Sequence, residues 1–334
     1  MMAFVAFASF AQSVPGCSTY TSHAVINLNG ASNQTISGDS INAAGGAYGI
    51  QLTNCHDIHI TKCKIWNATL GFGGAIAIQS GCYNIYVDTC YIYNSNRGVL
   101  VNNISSTSNI RINYNYFKDI QEPGRATGGG CSVQFVQVTG TGLTCDSNQS
   151  YHTTPNSGIG DQFSIYKSNG TSTSYIKVYY NTCLNGSTDA SGLVGTVLGD
   201  VGGSYQDAEY NIYINAGSVG CQVQGGSHII MSNNIIFGYK NTSASTGIAY
   251  GNYSGTLSTD ITMANNKISF TRANGTVLNK WYDTSTYVDP TATPKVPISA
   301  PTGWSTNTSD TVVDPTVTPL GMYILSLDKG HCDK

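Results

Sequence analysis

One short pattern returns along most of this chain and constrains its fold more than any other feature. It reads Ile-x-Ile-x-x-(Asn or Cys)-x-Ile, with other apolar residues in place of some isoleucines, and a clear copy runs from Ile58 to Ile65. The clear copies begin at residues 58, 85, 110, 176, 229 and 261, which gives spacings of 27, 25, 66, 53 and 32 residues. Weaker copies around Asn148 and Asn211 divide the two long gaps. Because a unit this short cannot bury an apolar face alone, the copies must stack on one another.

The order of residues inside each copy predicts how the copies stack. Two apolar residues two positions apart are typical of a strand with one buried face. A polar residue follows at a bend, and a second apolar run opens each copy, as in Gly74–Ile78 and Gly98–Val101. Coiling brings equivalent positions about 4.8 Å apart, so asparagines at the bend can hydrogen-bond from coil to coil as a ladder. The sequence therefore predicts an all-β chain, a single right-handed parallel β-helix (solenoid) of roughly nine coils.

The residues of this repeat resemble the right-handed β-helix repeat proteins of the pectate-lyase-like superfamily over about residues 24–270. The resemblance implies the fold and a carbohydrate-active, secreted context, but this fold hosts many functions. Gly160-Asp161-Gln162 resembles the Gly-Asp-Asp of polygalacturonases, with Gln162 in place of the second aspartate. No Gly-His-Gly or Arg-Ile-Lys triplet follows, and the Trp-Ile-Asp-His and Arg-x-Pro-x-x-Arg signatures of pectate lyases are absent. The resemblance therefore implies an architecture rather than one reaction.

Composition agrees with stacked strands and excludes several classes of partner. The 334 residues include 38 glycines and 22 tyrosines but only 15 basic and 18 acidic residues. Low charge with abundant Gly, Asn, Ser and Thr favours strands and turns over helices. The formal net charge of -3 and the lack of a basic stripe argue against a nucleic-acid partner. No apolar run is long enough to span a membrane.

The two ends of the chain differ from the repeat. Residues 1–11 form a short apolar run that ends in Ser9-Phe10-Ala11, which fits the small-x-small rule of a signal peptidase and predicts a secreted or cell-surface protein. The alternative is an apolar cap on the solenoid. Residues 12–286 are predicted as the β-helix. Residues 287–334 are rich in Pro and Thr and predict a strap along the solenoid or a cap on its end, because proline cannot serve a central strand. Trp281 and Trp304 would anchor that segment, and a free linker is the alternative.

The ten cysteines fit an exported chain without fixing their bonds. Register predicts that Cys55 and Cys82 are vertical neighbours, and that Cys63 and Cys90 are neighbours at the asparagine position. Vertical neighbours lie close enough for a disulfide. We expect stacked, buried thiols at Cys63 and Cys90, and we leave both possibilities open at Cys55 and Cys82.

The candidate chemistry lies where the coils depart from the repeat, between residues 118 and 210. The insertions there carry a large share of the few charges, and stacking would place the strands near residues 133, 164, 197 and 223 side by side. This arrangement predicts Lys167 and Asp200 on adjacent coils, with Asp161 at the start of its strand and Arg125 on the loop before it. We expect these residues to line a groove in the middle of the solenoid.

Two reactions suit this set of side chains. In β-elimination of a uronic-acid polysaccharide, Lys167 would be the base and Arg125 would neutralise the uronate. Asp161 or Asp200 could then hold a bridging Ca²⁺, the one cofactor considered. In hydrolysis, Asp161 and Asp200 would be the acid and the base, about 6.5–9.5 Å apart for inversion. The sequence therefore predicts a secreted, polysaccharide-active β-helix protein, either a lyase or a glycosidase.

Other interpretations remain open from the sequence. The aspartates could cap turns, and Lys167 could be a solvated charge at a strand end. A non-catalytic glycan-binding module would use exposed tyrosines as sugar platforms. A structural surface protein or adhesin would need neither a groove nor a platform. The tyrosines considered for a platform are Tyr83, Tyr86, Tyr91, Tyr93, Tyr114, Tyr116, Tyr175, Tyr179 and Tyr180.

Overall fold

The computed structural model describes residues 20–105, 108–120, 130–152, 159–186, 194–241, 246–251, 258–272, 274–282 and 300–308. In these residues the chain forms three columns of short strands, and the named strands pair in parallel. Each coil contributes one strand to each column in turn. The predicted parallel β-helix is therefore confirmed. The count of roughly nine coils stays a prediction, because both ends of the chain extend beyond the described residues.

The strands that open each coil make column 1, and each is followed by a strand of column 2 and then one of column 3. Column 1 contains Ile26–Asn29, Tyr48–Thr53, Gly74–Ile78, Arg97–Asn102, Cys131–Val136, Phe163–Asn169, the first half of Val194–Glu209, Val219–Val223, Thr246–Tyr250 and Lys280–Tyr282. Column 2 contains Ser32–Ser37, His56–Thr61, Tyr83–Asp88, Ile110–Asn113, Thr144–Asp146, Ile176–Tyr179, the second half of Val194–Glu209, Ser227–Ser232 and Thr259–Ala264. Column 3 contains Thr21–His23, Asp39–Asn42, Lys64–Trp66, Tyr91–Tyr93, Tyr116–Lys118, Gln149–Tyr151, Thr182–Leu184, Ile212–Ile214, Ile235–Asn241 and Lys267–Arg272.

The apolar residues of the repeat fill the space between the three columns. Ile58 and Ile60 of column 2 and Ile65 of column 3 are fully buried. Each stacks on the equivalent residue of the next coil, as Ile58 does on Ile85. Burial of such a side chain contributes about 1.5–3 kcal/mol, and every coil repeats the contribution. Stacked apolar rows therefore hold the solenoid together along its length.

Asparagines line the bend between columns 2 and 3. Each asparagine donates two hydrogen bonds, from its side-chain amide and from its backbone N–H, to the side-chain oxygen of the asparagine on the following coil. Asn181 donates both in this way to Asn211 Oδ1. Both groups are buried, so these bonds satisfy polar atoms that water cannot reach. The amide pairs, at 2.8–3.1 Å, are Asn115–Asn148, Asn148–Asn181, Asn181–Asn211, Asn211–Asn234, Asn234–Asn266 and Asn266–Asn307.

Cysteines take the asparagine position on two earlier coils. Cys63 and Cys90 are fully buried, and burial raises the pKa of the Cys90 thiol while a hydrogen bond with Cys90 lowers that of Cys63. Cys55 and Cys82 are also neighbours, because the Cys55 backbone N–H donates to the Cys82 sulfur at 3.4 Å. The described cysteines all carry free thiols. At both pairs the structure therefore has stacked thiols and no disulfide.

Residues 300–308 lie against the last coil. Thr302 pairs with Thr262, Thr308 pairs with Lys267, and Asn307 accepts the final amide of the asparagine row. Trp304 begins a one-turn 3₁₀ helix, Trp304–Thr306, and packs against the core. The rest of the predicted strap, and the predicted signal segment, lie outside the described residues, so the boundaries at residues 11 and 286 stay predictions. In the described part of the chain no helix has the length and hydropathy needed to cross a bilayer.

Candidate functional site

Among the described residues, the regular coils are interrupted on the side of columns 1 and 2 by one long strand. The strand Val194–Glu209 runs for 16 residues across the corner between these columns, where other coils break into two strands. Its pairing with Phe163–Asn169 shifts register twice, between Ser164 and Tyr166 and between Tyr166 and Ser168. Such bulges are frequent beside active sites, where they change the direction of side chains.

Positive φ angles recur at the corners of most described coils, and at this place they include three glycines and a β-branched residue within five positions. Positive φ angles occur at Gly199, Val201, Gly202, Gly203 and Tyr205 of the long strand and at Lys167 beside it. A β-branched residue such as Val201, with φ at 55°, is a genuine outlier in this region. Strain of this kind costs on the order of 1–3 kcal/mol and is found where function requires it.

The structure places three of the four predicted site residues at this interruption. Asp161 stands two residues before the strand Phe163–Asn169, next to Val194 of the following coil, where the Gln162 backbone N–H donates to the Val194 carbonyl at 2.9 Å. Asp200 pairs in register with Tyr166, the residue before Lys167. Lys167 and Asp200 therefore lie on adjacent coils. Arg125 lies outside the described residues.

The two carboxyl groups have different electrostatic environments. Burial raises the pKa of Asp161 well above its usual value, and the charge of Asp200 raises it further, against the smaller effects of the Val194 backbone amide and the Ser164 hydroxyl. Burial also raises the pKa of Asp200, to about 6, and the Lys167 ammonium opposes this rise. Asp161 therefore holds its proton to a higher pH than Asp200 does. Two neighbouring carboxyl groups with different proton affinities are the arrangement that acid and base catalysis needs.

Lys167 differs from the lysine that elimination requires. Its side chain is exposed, and its ammonium lies 5.4 Å from the centre of the Tyr166 ring. A lysine becomes a base near neutral pH when burial or a neighbouring cation removes the stabilisation of its charge. Because Lys167 is exposed, its position favours a role as the positive charge beside Asp200 rather than as a base.

On the preceding coils, column 1 carries buried polar residues next to Asp161, and the sequence analysis did not identify them. Arg97 is only 1% exposed, its Nε donates to Gln134 Oε1 at 2.7 Å, and its guanidinium carbon lies 3.8 Å from the centre of the Phe72 ring. Cys131 lies between Arg97 and the Asp161 coil, and burial together with the charge of Asp161 raises its thiol pKa to about 12. The available signal was an arginine beginning an otherwise apolar strand.

On the following coils the same face carries an apolar cluster next to the polar residues Gln222 and Thr246. Val194 and Val197 pack with Val219 and Ala249 in a buried cluster separate from the main core. This face of column 1 therefore mixes polar and apolar residues on both sides of Asp161. A binding surface of this composition suits a ligand with both hydroxyl groups and apolar faces.

The described residues contain no group of three or more His, Cys, Asp or Glu side chains that could hold a metal ion. Asp161 and Asp200 lie close enough for the charge of Asp200 to raise the pKa of Asp161. The calcium site considered from the sequence therefore stays a prediction.

Comparison with known proteins gives a likeness to two solved structures. No protein-family model matches the chain, and no curated protein matches it in sequence. The chain is similar to the catalytic unit of a thermostable GH87 α-1,3-glucanase from Streptomyces thermodiastaticus strain HF3-3, with 14% identity, a TM-score of 0.46, and coverage of 80% of this chain and 53% of that one. It thus spans about half the length of that glucanase chain. A match to QnrB1, a plasmid-mediated fluoroquinolone resistance protein, has 13% identity, a TM-score of 0.19, and coverage of 79% and 92%. Likeness at this level carries no information about activity.

Proposed function

We propose that this chain is a polysaccharide hydrolase whose acid and base are Asp161 and Asp200. The observation that carries the proposal is the pair of carboxyl groups of Asp161 and Asp200, which lie close enough for the charge of Asp200 to raise the pKa of Asp161, so that the two groups differ in proton affinity. Glycoside hydrolysis uses such a pair on the two sides of the scissile bond. The strained, bulged strand that carries Asp200 supports the same location.

The surroundings of each carboxyl group suggest its catalytic role. Asp161 would donate its proton to the leaving glycosidic oxygen, because its environment favours the protonated form. Asp200 would take a proton from the attacking water, and Lys167 beside it keeps this carboxylate ionised. Gln134, whose carbonyl oxygen is held by Arg97, would offer its amide to a sugar hydroxyl.

The test is a screen for new reducing ends on neutral and uronic-acid polysaccharides, with wild type and the variants Asp161→Asn and Asp200→Asn. We expect each variant to lose about 10²–10⁴-fold in rate, because asparagine preserves the shape and removes the proton transfer. The control is Asp57→Asn, an exposed acid in column 2 bonded to His56 and Asn84, which should keep full activity.

Other results would contradict hydrolysis by this pair. Undiminished activity in both variants would remove Asp161 and Asp200 from the reaction. Absorbance growth at 235 nm on a uronic-acid polysaccharide, lost in Lys167→Ala and kept in Asp161→Asn, would establish a lyase instead. The configuration of the first product, followed by NMR, would then separate inversion from retention.

We also propose that the protein acts outside the cell. The support is the apolar run before Ala11 and the small-x-small site that ends there. Expression of the whole chain in an exporting host should give extracellular protein that begins at Gln12. Protein that stays in the cell with Met1 intact would contradict the proposal.

A further inference from the structure

A second surface of interest lies on the outer face of column 2, around the corner from Asp161. Here tyrosines crowd two neighbouring coils, and we call this set the tyrosine face. Its members are Tyr175, Tyr179, Tyr180, Tyr205 and Tyr210. Register places Tyr179 beside Glu209 and Lys177 beside Asp207. The tyrosine face therefore combines aromatic rings with charged groups of both signs.

The tyrosine rings of this face contact one another, but part of their surface stays exposed to solvent. Tyr180 and Tyr210 are parallel, with their centres 5.2 Å apart, and remain 55% and 43% exposed. Tyr179 meets Tyr180 edge-on at 6.1 Å, and Tyr175 meets Tyr205 edge-on at 5.5 Å. Exposed tyrosines in fixed orientations offer apolar surface and hydroxyl groups at a low entropic cost.

A buried carboxylate at the centre of the tyrosine face lacks half of its hydrogen bonds. Asp207 is only 7% exposed, and the Tyr179 hydroxyl donates to its Oδ2. Its Oδ1 is buried and has no hydrogen-bond partner among the described residues. A buried acceptor without a donor costs about 1–3 kcal/mol, and such an atom in a native protein calls for a missing partner. The missing partner must be a hydrogen-bond donor.

We propose that the tyrosine face is a second binding site, specific for a neutral saccharide chain, with a sugar hydroxyl as the donor to Asp207 Oδ1. The groups around Asp207 carry both signs of charge, with Lys177 among Glu209, Asp207 and, on the preceding coil, Asp146. The Lys177 ammonium lies 5.5 Å from the centre of the Tyr179 ring and would repel an organic cation, whereas Glu209 and Asp207 would repel a uronate. A sugar has hydroxyls for both kinds of charged group and apolar C–H faces for the rings of Tyr180 and Tyr210.

The tyrosine face is distinct from the candidate catalytic surface. Asp200 and Asp207 belong to the same strand, but the strand turns the corner from column 1 to column 2 between them, near Gly203 at φ 110°. The second site therefore requires no catalysis, and a chain without activity could still bind through it.

Affinity electrophoresis of the whole chain tests this site. The gels contain dextran, a mixed-linkage β-glucan or xylan as neutral polymers, and alginate as a uronate polymer. We expect a neutral polymer to retard the wild type, and the double variant Tyr180→Ala/Tyr210→Ala to bind at least tenfold more weakly. Asp207→Asn should also weaken binding, and because it alters a buried group its folding is checked by its melting curve. The exposed rings of Tyr180 and Tyr210 keep the test independent of that variant.

Matched controls separate this proposal from hydrolysis. Tyr83→Ala removes a tyrosine that is 41% exposed and stacks on His56 at 4.7 Å, elsewhere on column 2, and it should bind like the wild type. Asp161→Asn should also bind normally, even if it has lost activity. Absence of retardation by every neutral polymer, or equal retardation of the double variant, would overturn the proposal. Retardation by alginate alone, or displacement of the wild type by spermidine, would overturn the ligand class.

Discussion

At the scale of single residues, the carboxyl group of Asp200 links the candidate site to the stability of the chain. Its pKa is about 6 in the folded protein, against a usual value of 3.8. Between these two pH values the folded chain binds more protons than the unfolded chain, so the free energy of unfolding falls as pH rises. Ionised Asp200 therefore destabilises the fold at neutral pH.

This leads to a prediction for Asp200→Asn. At pH 8 the variant should be more stable than the wild type by about 1–3 kcal/mol, since asparagine carries no charge to bury. At about pH 2.5 the difference should nearly vanish, because Asp200 is then almost fully protonated in both states. Urea unfolding at the two pH values measures the effect. A gain of equal size at both values would show that packing rather than ionisation is responsible.

The same group predicts the pH dependence of hydrolysis. The rate should rise as pH passes about 6, because Asp200 must be ionised to act as the base. It should fall again at the higher pH at which Asp161 loses its proton. Lys167→Ala should move the rising limb to higher pH, because the Lys167 ammonium lowers the pKa of Asp200. The measurement is kcat/KM against pH for both proteins. If the rising limb does not move in the variant, Lys167 does not set the pKa of the base.

At the scale of elements, the asparagine row fixes each coil to its neighbours. The side chain of Asn181 accepts from the Asn148 amide and backbone N–H and donates to Asn211 Oδ1 and the Cys145 carbonyl. Asn181→Ala would leave buried groups on two coils without partners, each at a cost of about 1–3 kcal/mol. We expect a loss of about 3–5 kcal/mol in the free energy of unfolding, measured by urea.

The matched control for this change is Asn27→Ala. Asn27 is exposed on a column 1 strand, so its replacement should change the free energy of unfolding by less than about 0.5 kcal/mol. A small effect at Asn181, equal to that at Asn27, would mean that water replaces the lost bonds. The row would then be a consequence of coiling rather than a source of stability.

At the scale of the whole molecule, the described cysteines contribute packing rather than cross-links. They are Cys55, Cys63, Cys82, Cys90, Cys131, Cys145, Cys183 and Cys221, all buried with free thiols. Loss of a disulfide would remove about 2–5 kcal/mol of stability. Because the described cysteines form no disulfide, we expect a reducing agent to leave the melting temperature unchanged within about 2 °C. Thiol titration in denaturant should find these eight groups reactive. A large drop in melting temperature under reduction would reveal a cross-link.

Much of the architecture was predictable because the signal repeats along the chain. The spacing of Ile58, Ile60 and Ile65 defines the inward face, and each copy of the pattern states it again. The same register arithmetic placed Lys167 beside the coil of Asp200, despite the long insertions between residues 118 and 210. Arg97 was missed because its place at the start of an apolar strand marks it as unusual but does not show which buried partners its guanidinium meets.

The sequence by itself determined the parallel β-helix, since a short periodic pattern of apolar residues and asparagines has few ways to bury itself other than by stacking. Only the tertiary structure decided the chemistry of its surface. Register shifts on both sides of Tyr166 set which residue pairs with Asp200, and burial separates the proton affinity of Asp200 from that of Asp161. The missing donor at Asp207 is likewise invisible in the sequence. The physical reason is that periodicity is a local property of the chain, whereas protonation and hydrogen bonding depend on neighbours that belong to other coils.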